Sequence, residues 1–188
     1  MVKNDPLKIT QRDLEGESQK TFSPLHIISG GQTGVDRRAL DWAIANNIPH
    51  RGFCPKGRIA EDGVIPSVYR LTETTSPEYP PRTEKNVEMS DGTVLISLSS
   101  RLSRGTRLTA KYANKHGKPV LHVHAGTDGP GEQLAEFIRQ HKIARLNVAG
   151  PRASSEPHAG EFAVKVLGEA LAALKIGETP LTALDQHL

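Results

Sequence analysis

The sequence reads Ser29-Gly30-Gly31-Gln32-Thr33-Gly34-Val35-Asp36 where an apolar run, 25–29, gives way to residues with helical spacing. Glycines after a strand let the backbone turn sharply and approach a ligand, and free amides at the start of a helix favour an anion. The pattern predicts a strand, an anion-binding turn at the glycines and a helix. Gln32 and Thr33 supply polar side chains to this turn, and Asp36 is placed to cap the helix. The simpler alternative is that the glycines only turn the chain and Asp36 only caps.

Short apolar runs and helical patterns alternate along the rest of the chain. The predicted strands are 25–29, 50–53, 69–73, 93–98, 119–123 and 145–148. The predicted helices are 36–46, 81–89, 106–116, 131–141 and 160–174. This alternation is typical of a parallel sheet. We therefore expect an α/β fold, a single three-layer α/β/α Rossmann-like domain with a mainly parallel sheet. Residues 93–97 and 120–123 are expected at its centre, because buried parallel strands are apolar at consecutive positions.

Length and composition favour one domain. The chain has 188 residues, of which 36% are hydrophobic and 24% are charged. We expect a flexible N-terminal tail over 1–23, a Rossmann-like domain over 24–175 and a C-terminal tail over 176–188. The apolar runs are shorter than the ~20 residues of a membrane span, and Cys54 is the single cysteine, which predicts a cytoplasmic protein. A net charge of +3 and an aromatic content of 4% argue against nucleic acid as a partner.

Two further turns follow predicted strands and precede predicted helices. The first contains Gly105 and Thr106, with Thr109 one turn along the helix, and the second contains Asn147, Gly150, Arg152 and Ser154. Ligands of open parallel sheets lie beyond the carboxyl ends of the strands, so we expect all three turns to face one crevice. The alternative is that their serines and threonines only cap helices and that Arg152 is a solvated surface charge.

Other polar residues between these turns are candidates for the same crevice. The glycine-rich segment 52–63 would bring Lys56 and Arg58 to an anion, and Glu61 or Asp62 to a metal or a hydroxyl, if it acts as a lid. Its other interpretation is an exposed loop with compensating charges. Arg82 and Asn86 are four residues apart and share one helix face, either in the crevice or in a local polar surface. Cys54 and the pair His122 and His124 lack the partners of a catalytic or zinc site, so no catalytic residue or metal ligand is assigned.

Several of these motifs, taken in order, resemble those of the molybdenum carrier family. They are Gly30-Gly-Gln-Thr-Gly-Val-Asp36, Cys54-Pro-Lys-Gly-Arg58 with Ala60-Glu-Asp-Gly63, Arg82-Thr83 with Asn86, Ser90-Asp-Gly-Thr93, Gly105-Thr106 with Thr109, and Asn147-Val-Ala-Gly-Pro-Arg152. The resemblance extends from about residue 25 to about residue 174. That family is a Rossmann-like branch of a superfamily that includes the lysine decarboxylase-like cytokinin-activating phosphoribohydrolases and the DNA-processing protein DprA.

The resemblance implies a carrier or store of molybdenum cofactor, a pterin with a terminal phosphate. Its expected partners are this small phosphorylated ligand and molybdoenzymes that receive it, without a membrane; a homo-oligomer is compatible with the sequence. The alternative is a nucleotide-binding or nucleotide-processing protein with a purine nucleotide as ligand, similar to the phosphoribohydrolases. Those enzymes carry a glutamate shortly after the Gly-Thr turn, and here Thr109 stands at the matching place. A threonine cannot act as a carboxylate acid or base, which favours a non-catalytic carrier.

Overall fold

A computed structural model describes residues 25–176, which form one α/β domain. The strands are β1 His26–Ile28, β2 His50–Arg51, β3 Phe53–Cys54, β4 Ile59–Ala60, β5 Gly63–Val64, β6 Thr72–Glu73, β7 Gly92–Ser97, β8 Val120–His124 and β9 Arg145–Ala149. The helices are α1 Val35–Ala45, α2 Tyr79–Met89, α3 Arg104–Lys115, α4 Pro130–Gln140 and α5 Ala159–Ile176. The predicted Rossmann-like fold is confirmed by the alternation of these elements around a parallel sheet. The two predicted tails lie almost wholly outside the described residues.

Five parallel strands form the main sheet in the order β2-β1-β9-β7-β8. The last strand of the chain, β9, therefore lies between β1 and β7. The predicted position of β7 inside the sheet is confirmed. The central position predicted for residues 120–123 is wrong, because β8 is an edge strand whose residues are mostly half-buried. Its consecutive apolar residues are explained by the neighbouring helices that cover β8, since β8 has a partner strand on one side only.

Helices cover both faces of this sheet. On β9, Leu146 and Val148 belong to the main hydrophobic core, which also contains residues of α1, α4 and α5. Asn147 lies between them in sequence and lines a cavity together with residues of α2 and α3. Because successive side chains of a strand point to opposite faces, α2 and α3 lie on the face opposite to α1, α4 and α5.

A small lobe over 52–78, here called the arm, departs from the predicted elements. The predicted strand 50–53 is interrupted at Gly52, since the Arg51 carbonyl accepts a bond from the amide of Ser29, just after β1, but the Gly52 carbonyl accepts one from the amide of Thr72. A side chain at Gly52 would meet the Ser29 carbonyl oxygen at 1.9 Å. β3 pairs with β6 outside the main sheet, and β4 and β5 form a hairpin that the sequence analysis did not predict.

Candidate functional site

A cavity of about 810 Å³ opens at the edge of the sheet where the parallel strands end. Since β1, β9 and β7 are neighbours, the three predicted turns that follow these strands lie side by side. The cavity is bounded by these turns and by α2 and α3. Its volume falls in the range of roughly 300–1,000 Å³ that is usual for small-molecule sites. The topology therefore creates one crevice from three segments that are far apart in sequence.

Ten of the seventeen predicted site residues line the cavity. These ten are Gly30, Gln32, Asp36, Arg82, Asn86, Gly105, Thr109, Asn147, Gly150 and Arg152. The other seven are not among its lining residues: Gly31, Thr33, Gly34, Lys56, Arg58, Thr106 and Ser154. Of these seven, Thr33 and Ser154 bond to Glu61 behind the turns, and Thr106 takes part in the cap of α3.

Asp36 and Arg82 form an ion pair across the cavity wall. Arg82 Nη1 lies 3.0 Å from Asp36 Oδ2, and the side chains of Arg82 and Asp36 are only 12% and 9% exposed, respectively. Burial raises the pKa of the Asp36 carboxyl, whereas the Arg82 guanidinium and the backbone amides of Gln32 and Gly30 stabilise its charged form. The carboxylate thus lies beside the amides of the first glycine turn that the sequence analysis offered to a ligand anion. A side chain at Gly30 would overlap Arg82 Nη1, so only glycine admits this pair.

Two buried amide side chains form the floor of the cavity. The Gln32 Oε1 atom accepts hydrogen bonds from the backbone amides of Thr33, at 2.9 Å, and Glu61, at 3.0 Å. This fixes the orientation of the amide, and its Nε2 donor has no partner among residues 25–176. Asn147 Nδ2 donates to Thr93 Oγ1 at 3.2 Å, which leaves its Oδ1 acceptor free of any described partner. The floor therefore offers one donor and one acceptor to a ligand.

Asn86 lines the same wall, but both polar atoms of its side-chain amide already have hydrogen-bond partners. Its Oδ1 accepts from the Phe53 amide at 2.7 Å, and its Nδ2 donates to the Phe53 carbonyl at 3.0 Å. This pair of bonds attaches α2 to the exposed edge of β3. Asn86 thus positions Arg82, one turn earlier on α2, rather than presenting an open polar group.

The second turn delivers the N-terminus of α3 to the cavity. Ser103 caps this helix by accepting from the Thr106 amide, and Thr106 turns its hydroxyl back to Ser103 Oγ at 2.8 Å. The backbone amides of Arg104 and Gly105, in the first helical turn of α3, have no acceptor in the described part of the chain, as expected where a helix begins. A side chain at Gly105 would meet nothing within 4 Å, so the glycine leaves open space in front of these amides.

The rim of the cavity is strongly cationic. Five basic side chains line it, and Asp36 is the one acidic side chain among its described lining residues. The five are Arg82, Arg104, Arg107, Lys111 and Arg152. Arg82 is paired with Asp36, and Arg152 Nε lies 3.4 Å from Glu61. A cavity with this surplus of positive charge favours an anionic ligand.

The arm is fastened to the crevice through acidic residues of its hairpin. Glu61 accepts hydrogen bonds from Thr33 of the first turn and from Ser154 of the third, and it faces Arg152. Burial opposes its ionisation, but the bonds from Ser154 and Thr33 outweigh this and lower the pKa of Glu61. Asp62 is paired with Arg37 of α1, whose hydrogen bond lowers the pKa of Asp62. These contacts hold the backs of the first and third turns together.

The two cations predicted on the arm do not face the cavity. Arg58 donates to the carbonyls of Ile65, Pro66, Tyr69 and Leu71 at 2.9–3.2 Å, so its guanidinium closes the loop 58–71 on itself. Lys56 is exposed, and its backbone amide bonds to Ser76. Gly31, with φ of +74°, packs against Leu71 and Ile65 of the arm, which explains why it turns away from the cavity.

Comparison with known proteins gives concordant results. A family model described as the circularly permutated YpsA SLOG family matches residues 27–171. The chain belongs to this SLOG family. A crystal structure from Syntrophus aciditrophicus, named "putative molybdenum carrier protein", is 42% identical to this chain, with a TM-score of 0.74. The match covers 79% of this chain and 96% of that one, so the resemblance to molybdenum carriers is confirmed. A search of curated proteins finds no match.

In this SLOG-family chain, part of the cavity was not predicted from the sequence. Tyr79 of α2 and Tyr112 of α3 contribute aromatic walls, and Lys111 adds a cation one helical turn beyond Arg107. The spacing of 104, 107 and 111 places these cations on one helix face, which was the available signal for Lys111. No sequence signal predicted the two tyrosines, because the packing of α2 against α3 decides which face of each helix meets the cavity.

Other groups of reactive side chains lie outside the cavity of this SLOG domain. Cys54 is fully buried, and burial raises the pKa of its thiol, which disfavours the nucleophilic thiolate. Glu84, Glu88 and His116 bring three ligand-type atoms within 4.8 Å of one another, but Lys115 Nζ already lies 2.6 Å from Glu84. Within residues 25–176, no helix has the length and apolar character needed to cross a bilayer.

Proposed function

We propose that this cavity binds molybdenum cofactor, a phosphorylated pterin, and that the protein carries or stores it. The observation that carries the proposal is the charge of the lining, where five basic side chains surround a single carboxylate that is itself paired. Free first-turn amides of α3 add to this field, because a helix N-terminus attracts anions. Phosphate groups are the anions that this combination fits best.

The remaining chemistry of the cavity suits a planar heterocycle with polar edges. Tyr79 and Tyr112 provide aromatic surfaces on which a flat ring can stack. The free donor of Gln32 and the free acceptor of Asn147 are placed to recognise the polar edge of such a ring. The name of the similar protein from Syntrophus aciditrophicus favours the molybdenum-bearing pterin over other heterocycles.

The second candidate is a purine nucleotide, since a purine with a phosphate has the same shape and charge. What separates a carrier from a phosphoribohydrolase is a carboxylate free to act as acid or base. Asp36 is engaged by Arg82 and by loop amides, and Thr109 uses its hydroxyl on the Gly105 carbonyl at 3.4 Å. This arrangement supports binding without hydrolysis.

The proposal is tested by titrating the protein with molybdenum cofactor under anaerobic conditions and following binding by calorimetry. Gly105→Asp places a negative charge before the α3 amides in space that is open, so the fold is retained and affinity is expected to fall at least about tenfold. Gln133→Glu adds the same charge in the first turn of α4, away from the cavity, and serves as the matched control.

Equal affinity in wild type and Gly105→Asp would contradict the proposed site. The same titration with adenosine monophosphate, followed by analysis for free base, separates the two ligands. Tight binding of the nucleotide together with release of adenine would favour the hydrolase instead of the carrier.

A further inference from the structure

Three basic side chains on α3 have no partner among the described residues. Arg104, Arg107 and Lys111 line the cavity, are exposed, and make no ion pair or side-chain hydrogen bond within residues 25–176. The other two cations of the lining are neutralised, Arg82 by Asp36 and Arg152 by Glu61. Farther along α3, Lys115 is also paired, with Glu84. Among the basic side chains that line the cavity, the unpaired ones are therefore all on α3.

This arrangement is unfavourable for the isolated helix. Positions 104, 107 and 111 lie on one face, where like charges three or four residues apart repel each other. Arg104 and Arg107 also stand in the first turns of α3, where the helix dipole disfavours cations, and that first turn contains no acidic residue. Like charges on one helix face and cations at a helix N-terminus are both unfavourable, so their presence here indicates a surface whose charge is compensated by a ligand.

The amount of charge and its extent exceed what one phosphate group supplies. A phosphate monoester carries about 1.5–2 negative charges near neutral pH, and a terminal diphosphate carries roughly three by the same ionisations. The three cations extend over two turns of α3, about 10 Å along its axis. A single phosphate at the amides of Arg104 and Gly105 satisfies the start of this row and leaves Lys111 uncompensated.

We propose that the cavity takes a ligand with a terminal diphosphate in preference to the corresponding monophosphate. The first phosphate lies at the α3 N-terminus and the second lies beside Arg107 and Lys111. This inference rests on the proposed function, because it concerns the same cavity and the same class of phosphorylated heterocycle. It adds that, within this class of ligand, a second terminal phosphate strengthens binding.

The test compares four probes by calorimetry: orthophosphate, pyrophosphate, adenosine monophosphate and adenosine diphosphate. We expect each diphosphate to bind about ten- to a hundredfold more tightly than its monophosphate, because the second phosphate adds one charge-assisted contact. In Lys111→Ala, this preference should shrink to within about threefold, because affinity for the diphosphate falls more than affinity for the monophosphate. Lys165→Ala removes an exposed cation of α5, which is paired with Glu169, and controls for net charge.

Three results overturn the inference in distinguishable ways. Equal affinity for monophosphate and diphosphate, with both lost in Gly105→Asp, contradicts the diphosphate preference but leaves the proposed site intact. Absence of binding by all four probes to the wild-type protein contradicts both the preference and the anionic site itself. A diphosphate preference that survives in Lys111→Ala contradicts the role given to this row of α3.

Discussion

At the scale of single residues, the cavity depends on one buried ion pair. Asp36 and Arg82 come from α1 and α2, and their contact fixes the distance between the first turn and the wall formed by α2. Arg82 Nε is a buried side-chain atom without a partner among the described residues, so the guanidinium is held mainly by this carboxylate. Removing one member of such a pair costs more than removing both, because the remaining charge is left buried and uncompensated.

We predict that Asp36→Asn lowers the free energy of unfolding by roughly 3 kcal/mol, near the lower end of losses seen on breaking buried pairs. The double variant Asp36→Asn with Arg82→Gln should be less destabilised than the sum of the two single variants, because no unpaired charge remains. Urea unfolding of all four proteins measures this coupling. Glu169→Gln, which breaks the exposed pair with Lys165, should cost less than about 1 kcal/mol. Additive losses in the cycle would show that the pair contributes no coupling.

At the scale of elements, the arm holds two strand-end turns together from behind the crevice. Its hairpin β4–β5 carries Glu61 and Asp62, which reach the first turn, the third turn and α1. Arg58 keeps the rest of the arm in place through its bonds to four backbone carbonyls. The arm therefore affects the cavity indirectly, by holding two of the strand-end turns at a fixed spacing.

The attachment of the arm should weaken in acid. The folded protein lowers the pKa of Glu61 and of Asp62 relative to the unfolded chain, so their stabilising effect is complete above the unfolded values, near pH 4–5. It is lost as the pH falls through the lower folded values. We predict that Glu61→Gln lowers stability at pH 7 by no more than about 1 kcal/mol and flattens the decline of stability between pH 6 and pH 3.5.

Trp42 of α1 lies in the main core, and its fluorescence follows denaturant unfolding at each pH. Glu136→Gln, on the exposed surface of α4, is the matched control and should leave the pH profile unchanged. A Glu61→Gln protein with the wild-type profile would mean that this carboxylate does not fasten the arm.

At the scale of the whole molecule, the sequence predicted the local units better than their arrangement. The five helices were predicted because helical spacing and glycine or proline stops, such as Gly117 and Pro119 after α3, are local signals. The edge position of β8 was not, because consecutive apolar residues do not distinguish a strand covered by helices from a central one. The arm escaped prediction because its strands are two residues long, too short for an alternating pattern.

For the candidate site too, the local motifs were predicted from the sequence and their arrangement was not. The three turns were recognised by their glycines, and the strand order that unites them came from the structure. Side-chain direction was not predictable, since Arg58 and Asn86 find backbone partners that no spacing reveals. The contribution of Tyr79, Lys111 and Tyr112 depends on how α2 packs against α3, a long-range contact with no local sequence signal.

The central claim is that a phosphorylated heterocycle binds at the carboxyl ends of β1, β9 and β7. The most direct measurement is the change in amide chemical shifts when the labelled protein is titrated with a pterin that bears a phosphorylated side chain. We predict the largest changes at the backbone amides of Arg104 and Gly105 and at the side-chain amides of Gln32 and Asn147. Changes confined to another surface, for example around Glu84 and His116, with the amides of Arg104 and Gly105 unmoved, would contradict the claim.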